Sequence, residues 1–209
     1  MANAIRNTIM LGGVNGSPGV LPDATQTGTS SNWSIFGGTG LTRTLHYGNG
    51  PNGFPCMDLT VSGINSDGFL QIIFGVCAAS QSLPWTPSVY LQLISGNLTN
   101  VTQFEIDYDT SSGTFGSSAF ITFDRLQHIV TNPTATSARV FGTATSDVGT
   151  TLITPYIFIP MSSTLAVSFG LRLEGPQLEQ GSSPTPFQST PNPNISAQLD
   201  PEVFKMFVF

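Results

Sequence analysis

The feature that most constrains this chain is a two-residue alternation of apolar and polar side chains, cut at short intervals by Gly, Pro, Asn and Asp. Helical periodicity is nearly absent. A strand points successive side chains to opposite faces, so a period of two marks sheets with one buried face. A first short strand is expected near 5–11, followed by a Gly-, Ser- and Thr-rich loop from Gly12 to Ser31. Further strands are expected at 41–48, 56–63, 69–77, 88–95, 101–109, 117–130, 137–145, 151–159 and 164–174. No linker divides the chain before Gly181, and 209 residues is an ordinary size for one sandwich. The expectation is a single all-β, antiparallel β-sandwich over 1–180.

Charge excludes several functions. Charged residues make up 9% of the chain, against about 25% in an ordinary soluble domain. Solubility must therefore come from hydroxyls and amides. The net charge is −6 and Lys and Arg are not clustered, which argues against binding nucleic acid or an anionic membrane. No apolar run is long enough for a membrane helix. The start, Met1–Gly13, lacks the pattern of a signal peptide, so folding is expected in the cytosol of synthesis.

One hairpin can be tested by register. Asn65-Ser66-Asp67-Gly68 is a turn signal. If it joins two neighbouring strands, Leu59 faces Phe74, Val61 faces Ile72 and Met57 faces Val76, three apolar pairs on one face. The same register sets Cys56 opposite Cys77 on the other face. A cross-strand disulfide is then geometrically possible, whereas folding in the cytosol favours reduced thiols. Two cysteines and two distant histidines do not make a metal site.

Composition shifts at Gly181. Residues 181–194 carry four prolines and read as an extended strap. The segment 181–209 then ends with Val203, Phe204, Met206, Phe207 and Phe209. Burying each such side chain stabilises by roughly 1.5–3 kcal/mol, so a free tail of this kind is unfavourable. It is expected to dock, on its own sandwich or, preferably, on a neighbouring subunit.

Catalytic signatures are missing. His46 and His128 have no partner at ligand spacing, and no nucleophile elbow, P-loop or dinucleotide fingerprint occurs. Asp107 and Asp109 share one strand face, about 7 Å apart, and read as turn-associated structural residues. The stretch from Asp107 to Gly113 superficially resembles a calcium loop but lacks its sixth-position glycine and twelfth-position Glu. Neither enzyme activity nor a cofactor or metal is expected. Aromatic rings could instead stack on sugars. The candidates are Trp33, Tyr47, Trp85, Tyr90, Tyr108 and Tyr156, of which Trp33, Trp85 and Tyr90 are the chosen glycan contacts. The sequons at Asn32, Asn97, Asn100 and Asn194 carry little meaning without a secretory signal.

The run from Leu171 to Phe187, Leu-Arg-Leu-Glu-Gly-Pro-Gln-Leu-Glu-Gln-Gly-Ser-Ser-Pro-Thr-Pro-Phe, resembles the closing motif of jelly-roll domains common in phage and prophage proteins. These domains are similar to carbohydrate-binding modules of the 4/9 type. The opening Gly16–Pro22 with Asn32-Trp33-Ser34 and Gly40-Leu41 fits, as does Trp85–Gly96 leading to Tyr108-Asp109. The resemblance covers about 16 to 190 in the family's order. It implies a jelly-roll and a phage context. The long first loop, Asp23–Ser31, and the Phe-rich end depart from the pattern. Within the motif, Glu179 is expected to accept hydrogen bonds from amides of the turn where the last strand leaves the sheet.

Two main functions follow as expectations. The favoured one is a virion structural protein, a capsid decoration or cement protein assembled in the host cytoplasm. It would work as a homotrimer, with other virion proteins as partners (the major capsid protein or tail components). The alternative is a tail-associated adhesin that binds a host glycan. A sugar-binding module of an extracellular enzyme ranks third.

Overall fold

The computed structural model describes residues 33–112 and 121–188; of Tyr47 and of 121–126 the backbone alone is described. The strands in chain order are β1 (Ser34–Gly37), β2 (Leu41–Asn49), β3 (Pro55–Ile64), β4 (Phe69–Ile73) and β5 (Cys77–Ala78). They continue with β6 (Pro84–Asn97), β7 (Phe104–Ser112), β8 (Ile121–Leu126), β9 (Ile129–Val130) and β10 (Ala138–Phe141). The last are β11 (Ala144–Thr145), β12 (Leu152–Pro160) and β13 (Ala166–Gln180). All pairings between these strands are antiparallel. The expected strand at 5–11, the loop Gly12–Ser31 and the apolar residues Val203, Phe204, Met206, Phe207 and Phe209 lie outside the described residues.

Two sheets form the sandwich. One runs β1-β4-β12-β7-β8, with β5 beside β12 and β9 beside β7. The other runs β10-β6-β13-β3-β2, with β11 beside β6. Between them lies one apolar core, fed by alternate residues of both: Met57, Leu59, Val61, Leu171 and Leu173 from one side, Leu70, Ile72, Ile106 and Ile157 from the other. Tyr108 crosses this core and donates its hydroxyl to Ala144 O on the far sheet at 2.8 Å. Burial and the Asp147 carboxylate push its phenol up to about 12. This folded value lies above that of an unfolded Tyr, about 10. The stabilisation it reports is therefore complete below about pH 10 and fades as pH rises through about 12. The urea midpoint of Tyr108→Phe should accordingly show a weaker alkaline decline than that of the unmodified chain.

The hairpin expected at 65–68 is corrected. A turn does form there: Gly68 N donates to Asn65 O at 3.1 Å and Asp67 N to Asn65 Oδ1 at 3.1 Å. It joins β3 of one sheet to β4 of the other. Leu59, Val61, Ile72 and Phe74 all reach the core, but from opposite sheets rather than as cross-strand neighbours. Asp67 also accepts from Thr39 N at 2.7 Å, which lowers its carboxyl below the usual range. Cys56 and Cys77 consequently belong to different sheets, and both are buried thiols not joined in a disulfide. The Cys56 thiol sits beside Asp58, and burial followed by that carboxylate pushes it up.

From Gly181 the chain folds back over the outer face of the second sheet. Thr185 N donates to Glu179 Oε2 at 2.9 Å, and the Thr185 hydroxyl donates to Glu179 Oε1. Arg139 donates to Thr185 O at 2.6 Å, and Gln188 N donates to Gln177 Oε1 at 2.8 Å. Phe187 packs on Phe54 with ring centroids 4.7 Å apart. Room for this comes from Gly175, at φ +56, where β13 shifts register against β6; a Cβ there would lie 3.1 Å from the Phe187 ring.

Candidate functional site

The outer face of the first sheet carries the aromatic surface. On β12 the residues Ile153, Ile157 and Ile159 point to the core, so Thr154, Tyr156 and Phe158 point outward. The same alternation turns Phe69, Gln71 and Ile73 of β4 outward, with Phe36 of β1 and Glu105, Asp107 and Asp109 of β7. Register aligns them into rows across the strands. One row runs Phe36, Gln71, Phe158, Glu105 and Ile129; the next runs Ser34, Ile73, Tyr156 and Asp107.

Phe36, Phe69 and Phe158 form a stripe along one margin of this face. Phe69 stacks on Phe158 at 5.3 Å and 28°, and Phe36 tilts against Phe69 at 5.7 Å. Phe36 is exposed, Phe69 and Phe158 are half-buried, and Ile129 at the far end of the first row is exposed. Beside the stripe lies a polar floor. Tyr156 is buried and donates its hydroxyl to Asp109 Oδ1 at 2.9 Å. Asp107 is buried and accepts from His128 N at 3.0 Å, while Glu105 accepts from Gln103 Nε2 at 2.6 Å. Half-buried rings beside the half-buried polar side chains Gln71 and Thr154 suit an amphipathic ligand with apolar faces and hydroxyl edges. Among the described residues, no group of three or more His, Cys, Asp or Glu is placed to hold a metal ion.

The residues chosen from sequence fall elsewhere. Trp33 is 2% exposed and packs edge-on against Phe74 at 5.0 Å; Trp85 is 6% exposed and donates Nε1 to Ser80 O at 3.1 Å. Both are core residues with no ring face open to a sugar: the chain turns Trp33 inward just before β1, and β6 turns Trp85 inward. Tyr90 stays half-buried, but on the outer face of the other sheet, with Phe54 at 5.9 Å and the Arg139 guanidinium 5.6 Å above its ring. Tyr108 lies in the core. Of the six aromatic candidates, Tyr156 belongs to the aromatic surface, and the side chain of Tyr47 lies outside the description. The phenylalanines were missed because only Trp and Tyr were weighed. Their signal was present: Phe69-Gln71-Ile73 and Thr154-Tyr156-Phe158 alternate out of phase with the core residues between them.

No protein-family model matches this chain, and no curated protein matches it. Solved structures do. A study of carbohydrate-binding modules of the β-sandwich superfamily provides one, with TM-score 0.50 and 10% identity, covering 74% of this chain and 60% of that one. A CBM4 structure aligns over 85% of this chain and 99% of its own, with TM-score 0.49 and 11% identity. The tripod from the baseplate of bacteriophage Tuc2009 aligns over 67% of this chain and 51% of its own, with TM-score 0.40 and 19% identity. At these identities the likeness speaks for architecture alone. The chain is an antiparallel jelly-roll β-sandwich of the kind seen in carbohydrate-binding modules.

Proposed function

We propose that this chain is a glycan-binding module of a phage's host-contacting apparatus, binding carbohydrate on the outer face of the first sheet without turning it over. The observation that carries this reading is the half-open Phe36–Phe69–Phe158 stripe beside Gln71, Thr154 and the Tyr156–Asp109 pair. Pyranose rings present C–H faces to aromatic rings and hydroxyls to polar side chains, and the stripe beside the half-buried Gln71 and Thr154 supplies both. The jelly-roll likeness to carbohydrate-binding modules supports the reading, and the sequence resemblance to phage domains supplies its context. Binding rather than hydrolysis is favoured because Asp107 and Asp109 stand on one strand. Glycosidases place their two carboxyl groups on opposite sides of the scissile bond.

The capsid-decoration role expected from sequence drew on the low charge, the short chain and the apolar segment Val203–Phe209, and the last of these lies outside the described residues. Glycan binding is the better fit. A glycan array followed by calorimetry tests it. Phe158→Ala should weaken binding on the order of 30-fold or more, as loss of a central aromatic contact does, while leaving the fold intact. Tyr90→Ala, on the opposite sheet, should leave affinity unchanged. Failure to bind any glycan, or equal loss from both variants, would sink the reading. Copies per particle then separate a tail location (a few) from a head location (many).

A further inference from the structure

Every sheet has edges, and an edge exposes unpaired N–H and C=O groups that natural proteins usually blunt by shortness, bulges, Pro or Lys. Among the described residues most edges here are blunted. Strand β1 has 4 residues, β10 has 4, and β9 and β11 have 2 each. Strand β8 shifts register against β7. Strand β2 is different. Its 9 residues, Leu-Thr-Arg-Thr-Leu-His-Tyr-Gly-Asn, pair with β3 without any register shift and contain neither Pro nor Lys; the one charge on its core side, Arg43, is drawn back to Gly37 O at 3.5 Å. No described strand lies on its other side.

We propose that this edge pairs antiparallel with β2 of a second copy, across a two-fold axis at Leu45. The strand is self-complementary in that register. Leu45 meets Leu45, Leu41 falls opposite Asn49, Thr44 opposite His46, and Arg43 opposite Tyr47, so no like charges face each other. Centring the axis on Arg43 instead would oppose two guanidinium groups. The register also answers a packing need. Leu41 and Leu45 lie on the core side of β2 and are only partly buried at the margin of the sandwich. A second copy's Leu45 would cover Leu45, and its Asn49 would lie beside Leu41.

The pairing has a functional consequence, although it does not rest on the glycan reading. The 38–40 turn joins β1 to β2, so the edges of both sheets lie along the same margin. Equivalent strands that pair this way share an axis perpendicular to the sheet. The outer faces of both first sheets then point in one direction, with Phe36 of each near the junction. Two adjacent sites facing one way bind a repetitive surface with an avidity that can exceed the single-site affinity by about 10²–10⁴.

Light scattering over a dilution series of the full chain should show one copy passing to two as concentration rises. Leu45→Cys places a thiol opposite itself, about 5 Å between Cα atoms, within the reach of a disulfide. Mild oxidation should therefore yield covalent dimer on a non-reducing gel. Thr42→Cys, about 20 Å from its own copy along the strands, should not crosslink. A single-copy mass at all concentrations, a trimer, or a dimer that Leu45→Cys fails to capture would each overturn the proposal. So would protection of β2 amides that ignores concentration and vanishes when residues 1–31 are deleted, since that assigns the edge to the chain's own N-terminal segment. The mass of the unmodified chain decides the question if the cysteine variant misfolds. Loss of glycan binding in an intact dimer would overturn the glycan reading alone.

Discussion

Glu174→Ala should lower stability by about 3 kcal/mol, the cost of leaving several donors to a buried carboxylate unsatisfied. Glu174 is fully buried on the outer face of the second sheet, where β13 meets Cys56 of β3 and Tyr90 of β6. Its carboxylate organises the connection between β2 and β3. It accepts from Asn52 N at 3.0 Å, Phe54 N at 3.0 Å and Asn52 Nδ2 at 2.8 Å. Gly50 packs so closely that a Cβ there would collide with the Glu174 carboxyl group. Alanine removes the acceptor and leaves a void beneath the loop. Water can reach the exposed Asn52 and recover part of the loss, which holds the figure near 3 rather than higher. Glu174→Gln keeps the shape and one acceptor oxygen but turns an amide NH₂ toward other donors, so it should cost less. Urea unfolding gives the comparison, read as a shift in midpoint at constant slope. A Glu174→Ala midpoint equal to that of the unmodified chain would mean that the carboxylate contributes little.

Trp33→Ala should cost about 3–5 kcal/mol, the range for deleting a large aromatic from a packed core. The ring lies just before β1, against Phe74, inside the single core between the sheets. This variant also separates the two roles once open to Trp33. As a glycan contact it would lose affinity with the fold intact. As a core residue it should lose the folded population, while whatever remains folded binds glycan with unchanged affinity. Thermal unfolding and calorimetry on one preparation distinguish these outcomes. Trp85→Ala should behave in the same way: its slightly more open ring lowers the loss, and the Nε1–H bond to Ser80 O that the variant gives up adds to it.

Much of the fold was legible in the chain. The alternation placed β2, β3, β12 and most of β13 within a few residues, because a half-buried strand writes its faces directly into polarity. Interruptions were harder. The expected strand at 69–77 splits into β4 and β5 around Gly75 at φ +95, and 137–145 splits into β10 and β11. Strand β1 was not recognised at all: four residues are too few to show a period. Strand β13 runs six residues past the expected end at 174, through Pro176, because a bulge absorbs the proline that would otherwise stop a strand.

The sequence by itself determined the class of fold and which residues share a face, since both follow from the geometry of one strand. It also placed the Asn65–Gly68 turn, which depends on local chemistry. Only the tertiary structure decided which strands are neighbours. The same apolar alternation that suits a hairpin between β3 and β4 suits equally two strands facing each other across a core, and the turn permits either. That choice carried the two cysteines into different sheets. It also decided which aromatic rings meet water: Trp33 and Trp85 are more hydrophobic choices for a core than the weaker pattern suggested, and Phe36, Phe69 and Phe158 became a surface only when β1, β4 and β12 came side by side. Polarity along a strand names its two faces; the packing of the second sheet selects the face that is buried.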